Sequence, residues 1–189
     1  LVFMNNNVPN IISTLRILTA PWLLYAAWMG YGQIFLGLLL LSLVSDVMDG
    51  YLARKFNATS ELGAKLDTWG DMATYLTVPL CAWWLIPDLV RKELVFVLIA
   101  MASYIIPILV SFLKFRKTPC YHTWVAKFAA VIMSTSVLVA FIAEITWPFR
   151  VAALVQVIVA LEGILITMQL PELRSNIKSY WHLKHEKTK

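Results

Sequence analysis

The chain has 189 residues and a net charge of +5; 60% of its residues are hydrophobic and only 14% are charged, with a mean hydropathy of +0.72. Soluble domains carry about 45–50% apolar and about 25% charged residues, and a chain this short has too much surface to hide such a surplus. Disorder, a nucleic-acid-binding domain and a soluble enzyme are excluded, and a membrane must supply the apolar solvent.

The length predicts one domain over 1–189, all-α and built of spanning helices. A span needs about 20 mainly apolar residues. Six segments meet or approach this, at 15–31, 33–54, 65–86, 94–115, 125–147 and 150–171, each bounded by Pro, Gly or charge. Leu1, Val2 and Phe3 read as appended residues ahead of Met4, the expected natural start, and no cleavable signal pattern is visible. The first, fourth, fifth and sixth segments are plain apolar helices, whereas the second and third carry carboxylates. Pro79 and Pro107 fall inside segments and predict kinks. Cys81 lies in an apolar run and Cys120 in a polar connection, so a disulfide is not expected. Asp88 and Glu93 read as loop residues. The stretch 172–189, with His182 and His185, reads as a basic tail lying on the membrane surface.

Lys and Arg set the orientation, because cytoplasmic loops carry the excess. With the N-terminus inside, only Arg91, Lys92 and Arg150 fall outside, and the other 13 of the 16 basic residues, Arg16 among them, fall inside. Both termini are therefore expected in the cytoplasm. The positive charge is a topology signal that also suits anionic lipid headgroups. The tryptophans near the segment ends form an ordinary aromatic belt.

The informative stretch is Asp46-Val-Met-Asp49-Gly50-Tyr-Leu-Ala53-Arg54, followed by Gly63-Ala-Lys-Leu-Asp67-Thr-Trp-Gly-Asp71. An ionised carboxylate in hydrocarbon costs at least ~3 kcal/mol, and four together repel one another. Something positive must bind them, and Arg54 is the counter-charge the stretch itself offers. Residues 46, 49, 50, 53 and 54 form one stripe of a helix, and 63, 67 and 71 form another. A connection of about eight residues makes the two helices an antiparallel hairpin with these stripes at its cytoplasmic end. At ~1.5 Å per residue, Asp46 lies about 12 Å from Arg54 along the axis, inside the membrane but within reach of water.

Converging carboxylates without Cys or His select a hard divalent cation, Mg²⁺ or Mn²⁺. Four of them suit two ions, the arrangement that stabilises both attacking and leaving oxygens in phosphoryl transfer. Gly50 and Gly63 let a ligand approach the backbone, and Arg54 offers a fork for a phosphate. A structural ion pair or an ion pathway is the plainer reading of a single membrane aspartate. Four at these spacings, with two glycines and an arginine on the same stripes, favour a metal site.

The pattern D-x2-D-G-x2-A-R-x8-G-x3-D-x3-D resembles the signature of the CDP-alcohol phosphotransferase family. Each fixed position is met, by Asp46, Asp49, Gly50, Ala53, Arg54, Gly63, Asp67 and Asp71. The segment Asn7-Val-Pro-Asn10 to Arg16, with Pro21, is similar to the family's N-terminal segment, and six spans with both ends inside agree. The resemblance implies an integral-membrane homodimer that uses divalent metal. It would transfer a phosphatidyl group from CDP-diacylglycerol to an alcohol and release CMP, with its site facing the cytoplasm of a bacterial inner membrane. It implies that Asp46, Asp49, Asp67 and Asp71 hold the metal and that Asp71 is also the general base. Asp49, Gly50, Ala53, Arg54, Ser60 and Gly63 would contact the nucleotide. No nucleophile is placed for a covalent intermediate, so direct displacement is expected.

Val8-Pro9-Asn10 and Arg16 most resemble the branch of phosphatidylglycerophosphate synthases and eukaryotic-type cardiolipin synthases; Met72 stands where that branch usually has Lys. A phosphorylated acceptor, glycerol-3-phosphate first, would want cations at the cytoplasmic mouth. Lys114, Arg116, Lys117 and above all Lys127, which opens the fifth segment, are available. Phosphatidylglycerol, inositol phosphate and serine are the alternative acceptors. Glu162, within the sixth segment, reads as a carboxyl protonated or hydrogen-bonded between helices, and His122 as a solvated loop residue. From other classes, a divalent-cation transporter or a scaffold keeping a metal site remains open. The transporter lacks matching acidic residues toward the outer side.

Overall fold

The computed structural model describes residues 8–55, 61–116, 121 and 123–171, with 8–10, 47, 49–55, 61–62, 64–65 and 67 described by backbone alone. Within them lie seven helices: α1 (Val8–Trp28), α2 (Gly32–Lys55), α3 (Glu61–Leu85), α4 (Pro87–Lys92), α5 (Leu94–Phe115), α6 (Trp124–Ala143) and α7 (Trp147–Gln169). The chain forms two compact units, divided in sequence between Asp88 and Leu89.

In the first unit α1 packs against both α2 and α3. The helix begins well before the expected 15, because Pro9 sits in its first turn, where a missing N–H costs no intrahelical bond. It ends in a Schellman cap. Gly30 takes φ +74°, its N–H reaches Ala27 O at 3.0 Å, and the Tyr31 N–H reaches Ala26 O at 2.9 Å. This turn folds α2 back onto α1. Leu23, Ala26 and Ala27 of α1 are buried with Phe35 and Leu39 of α2 and Cys81 of α3. The Cys81 thiol donates to Leu23 O at 3.6 Å. Both α2 and α3 stay helical through the motif, so the spacings read from the sequence do translate into helix faces.

In the second unit α7 packs against α5 and α6. The inward faces are built of small residues: Ala100, Ser103 and Ser111 on α5, Ala129, Ser136 and Ala140 on α6, and Ala152, Ala153 and Ala160 on α7. Gly163 continues this stripe, and a β-carbon there would meet Pro107 of α5 at 3.6 Å. Large apolar side chains point outward instead, with Leu98, Leu113, Phe128, Val131, Leu154 and Leu161 all more than half exposed. Small residues inside and large ones outside is the packing of helices solvated by lipid, where close backbone approach replaces the hydrophobic drive.

Four helices among the described residues are long and apolar enough to cross a membrane: Ile11–Trp28, Leu94–Phe115, Trp124–Ala143 and Trp147–Gln169. A shorter apolar stretch, Gly32–Asp46, lies in α2. Of the six expected spans, the second and third are thus the two that fall short on length or apolarity. The cause is the motif itself, which places aspartates and basic residues in the second half of α2 and the first half of α3.

One expectation is corrected outside the motif, and the structure adds a partner for a second residue. Asp88 lies in the short helix α4 and not in a loop. Glu93, between α4 and α5, is 1% exposed. Arg150 donates to both its oxygens, Nε to Oε2 at 2.8 Å and Nη2 to Oε1 at 2.7 Å, and the Thr146 hydroxyl adds a third bond to Oε1 at 2.8 Å. The Arg150 bonds hold the Glu93 carboxyl below the usual carboxylate range, against burial, which pushes it up. Glu93 is therefore an ionised clamp between the start of α5 and the start of α7.

Candidate active site

The motif's two outermost aspartates come together at one cation. Asp46 on α2 and Asp71 on α3 both pair with the guanidinium of Arg16 on α1, Asp71 Oδ1 at 3.6 Å from Nη2. The Arg16 side chain is 2% exposed, while each carboxylate is 42% exposed. The carboxylates thus face water on one side and a buried positive charge on the other. Gly70 makes room for that charge, since a β-carbon there would lie 2.5 Å from Arg16 Nε and 2.7 Å from Nη2. Thr19 and Thr74 hold the neighbouring turns, donating to Arg16 O at 2.6 Å and to Gly70 O at 3.0 Å.

Arg16 is a counter-charge from outside the motif stretch, in addition to Arg54, whose side chain lies outside the described residues. In the sequence Arg16 looked like one more cytoplasmic topology charge. The available signal was its place in an apolar run: a lone arginine there needs a carboxylate partner.

Of the remaining predicted site residues, Gly63 lies on α3 and is half-buried. Asp49, Gly50, Ala53 and Arg54 on α2, and Asp67 on α3, occupy helical positions, but their side chains lie outside the described residues, as does all of Ser60. Among the described residues no three His, Cys, Asp or Glu side chains gather. What is described fits a divalent cation all the same. Two carboxylates from two helices converge on one positive group, and the donors are oxygen only, the set a hard ion takes.

The basic residues predicted to meet an acceptor divide. Lys114 is not free to bind one. Its ammonium donates to Thr167 O at 3.0 Å, Met168 O at 2.9 Å and Leu170 O at 2.9 Å, using its three N–H groups to close the end of α7. Arg116 is exposed and closes α5 in the left-handed conformation, φ 56°. Lys127 is exposed on the first turn of α6, its ammonium 5.3 Å from the centre of the Trp124 ring. Lys117, His122, His182 and His185 lie outside the described residues.

Glu162 is explained by packing. Thr123 caps α6, its hydroxyl oxygen accepting from the Ala126 N–H at 3.2 Å, and the same hydroxyl donates to Glu162 Oε2 at 2.9 Å. The carboxyl thus ties α7 to the N-terminus of α6.

Comparison with known proteins adds a family. A model described as CDP-alcohol phosphatidyltransferase matches residues 6–168. A provisionally named cardiolipin synthase of Mycobacterium tuberculosis is 32% identical over 94 residues, which cover 46% of this chain and 45% of that one. A CDP-diacylglycerol–glycerol-3-phosphate 3-phosphatidyltransferase of Cereibacter sphaeroides is 38% identical over 76 residues, covering 37% of this chain and 34% of that one. Each match therefore spans less than half of the relative's length. No solved structure matches the chain.

Proposed function

The chain belongs to the CDP-alcohol phosphatidyltransferase family, and on that premise we propose that it transfers the phosphatidyl group of CDP-diacylglycerol to glycerol-3-phosphate and releases CMP. The observation that carries this reading is the convergence of Asp46 and Asp71, from the two ends of the motif, on the one guanidinium that α1 carries to both α2 and α3. In this reading Asp46, Asp49, Asp67 and Asp71 hold one or two divalent ions, Mg²⁺ or Mn²⁺. When bound, such ions neutralise charge on phosphate oxygens.

The rest of the chemistry falls to the chain's own residues. The exposed side of Asp71 takes the proton of the acceptor hydroxyl. The acceptor oxygen forms its bond to the lipid-side phosphorus as the bond from that phosphorus to the CMP oxygen breaks. Arg54 offers its guanidinium to the phosphates, while Asp49, Gly50, Ala53, Ser60 and Gly63 seat the nucleotide. Arg116 and Lys127 supply positive charge for the acceptor phosphate. The enzyme works as a homodimer in a bacterial inner membrane, with six crossings and with termini and site toward the cytoplasm.

The 32% identity to a provisionally named cardiolipin synthase supports a second acceptor, phosphatidylglycerol, for the same chemistry. Purified protein in lipid nanodiscs with CDP-diacylglycerol and Mn²⁺ decides between them. CMP release that depends on glycerol-3-phosphate is expected, and release with phosphatidylglycerol alone moves the acceptor. No release with either of these, inositol phosphate or serine overturns the transferase reading. Mn²⁺ flux into proteoliposomes would then favour transport.

A further inference from the structure

Arg16 contributes no atom to the reaction above, yet its head lies against two of the carboxylates assigned to metal. It is a permanent charge, because a guanidinium does not lose its proton in proteins. It also has little room to withdraw, being 2% exposed and seated on Gly70. A divalent cation taken up by Asp46 and Asp71 therefore meets a positive charge already on the same carboxylates. At such separations and at a protein's effective dielectric, like charges repel by several times thermal energy.

We propose that Arg16 is a built-in counter-ion that competes with the metal for Asp46 and Asp71. It neutralises these carboxylates while no ion is bound, so that α1, α2 and α3 can pack around them, and it lowers the affinity with which they take up an ion. Arg16 is in this sense a positioning residue that sets metal affinity. The inference rests on the metal reading above, and metal binding measured without substrates separates the two.

The experiment is Mn²⁺ titration by calorimetry of purified wild type and Arg16→Gln in detergent, with melting curves with and without Mn²⁺. Arg16→Gln is expected to bind Mn²⁺ at least about tenfold more tightly, since one full charge leaves the ligands. Its metal-free melting temperature should fall below that of wild type, and Mn²⁺ should raise it by more than it raises wild type. A purely structural arginine predicts weaker or unchanged binding in the variant, and either result overturns the proposal. A wild type that takes up no Mn²⁺ sinks the metal reading and this inference with it. Should Arg16→Gln fail to fold, Gly70→Ala keeps every charge and crowds the guanidinium off its seat. Tighter Mn²⁺ binding by that variant supports the competition, and unchanged or weaker binding overturns it.

Discussion

Arg16 rests on Gly70 so closely that a β-carbon would fall 2.5 Å from its Nε. In a helix interior Gly→Ala ordinarily stabilises, by roughly 0.5–1 kcal/mol. Here the displaced group is a charged head pinned by Asp46 and Asp71, and crowding of this kind costs about 1–3 kcal/mol. Gly70→Ala is therefore expected to lower the melting temperature of the metal-free protein. In the double variant with Arg16→Gln the cost should shrink, because the clash has gone. A stabilised single variant would show that the guanidinium has room to move.

Asp46→Asn removes a charge that both Arg16 and the proposed metal use. Turnover should be abolished while the protein remains monodisperse in detergent, and excess chelator should do the same to wild type. CMP release that survives either treatment counts against a metal-dependent reaction.

Asp71, 42% exposed on its side chain, is assigned the acceptor's proton. Asp71→Asn should lose kcat by at least about a hundredfold, the range of a general base. Binding of CDP-diacylglycerol should change far less, because the missing function is exercised only in the transition state. If affinity falls and kcat does not, Asp71 serves binding instead.

Lys127 and Lys114 should behave differently. Lys127→Ala is expected to raise the apparent KM for glycerol-3-phosphate roughly ten- to a hundredfold, as for loss of a charge-assisted hydrogen bond of about 1.5–3 kcal/mol. Lys114→Met should leave that KM alone and lower the melting temperature, since its three bonds close the end of α7. A neutral Lys127→Ala removes the case for Lys127 as an acceptor ligand.

The Glu93–Arg150 clamp predicts a pH dependence. Glu93 has its pKa lowered in the fold, so its contribution is fully present above the unfolded value, about 4.3. That contribution is lost as pH falls through the folded value. Arg150 is 44% exposed, so water screens the pair and holds the contribution near the low end of the range for charged hydrogen bonds. The melting temperature of wild type should exceed that of Glu93→Gln at pH 7, and the gap should shrink only as pH falls below the unfolded value of about 4.3, closing as it passes through the lower folded value. A gap that is constant with pH means that Glu93 is not ionised in the fold.

The aspartate motif was legible because a helix converts sequence spacing directly into a face. Residues 46, 49, 50 and 53, and residues 63, 67 and 71, needed only α2 and α3 to be helical through them, and they are. The fourth predicted segment, 94–115, coincides with α5 for a similar local reason: a long apolar run between charges leaves one solution. The membrane itself followed from composition, since no soluble core could hold the apolar surplus.

What the sequence could not decide are the partners of single charges across helices. Arg16 counts as a topology charge until α1 packs between α2 and α3 and buries it against Asp46 and Asp71. Lys114 counts as a ligand for phosphate until α5 and α7 pack and the last carbonyls of α7 take its three donors. Glu93 is a residue of the connection between α4 and α5 in sequence and structure alike, but only the fold brings Arg150, 57 residues away, onto it. In each case the energy of the charge depends on what stands within about 4 Å of it, and sequence spacing fixes that only within one helix. Between helices it is fixed by which small residues let the backbones approach, and only the folded chain decides that.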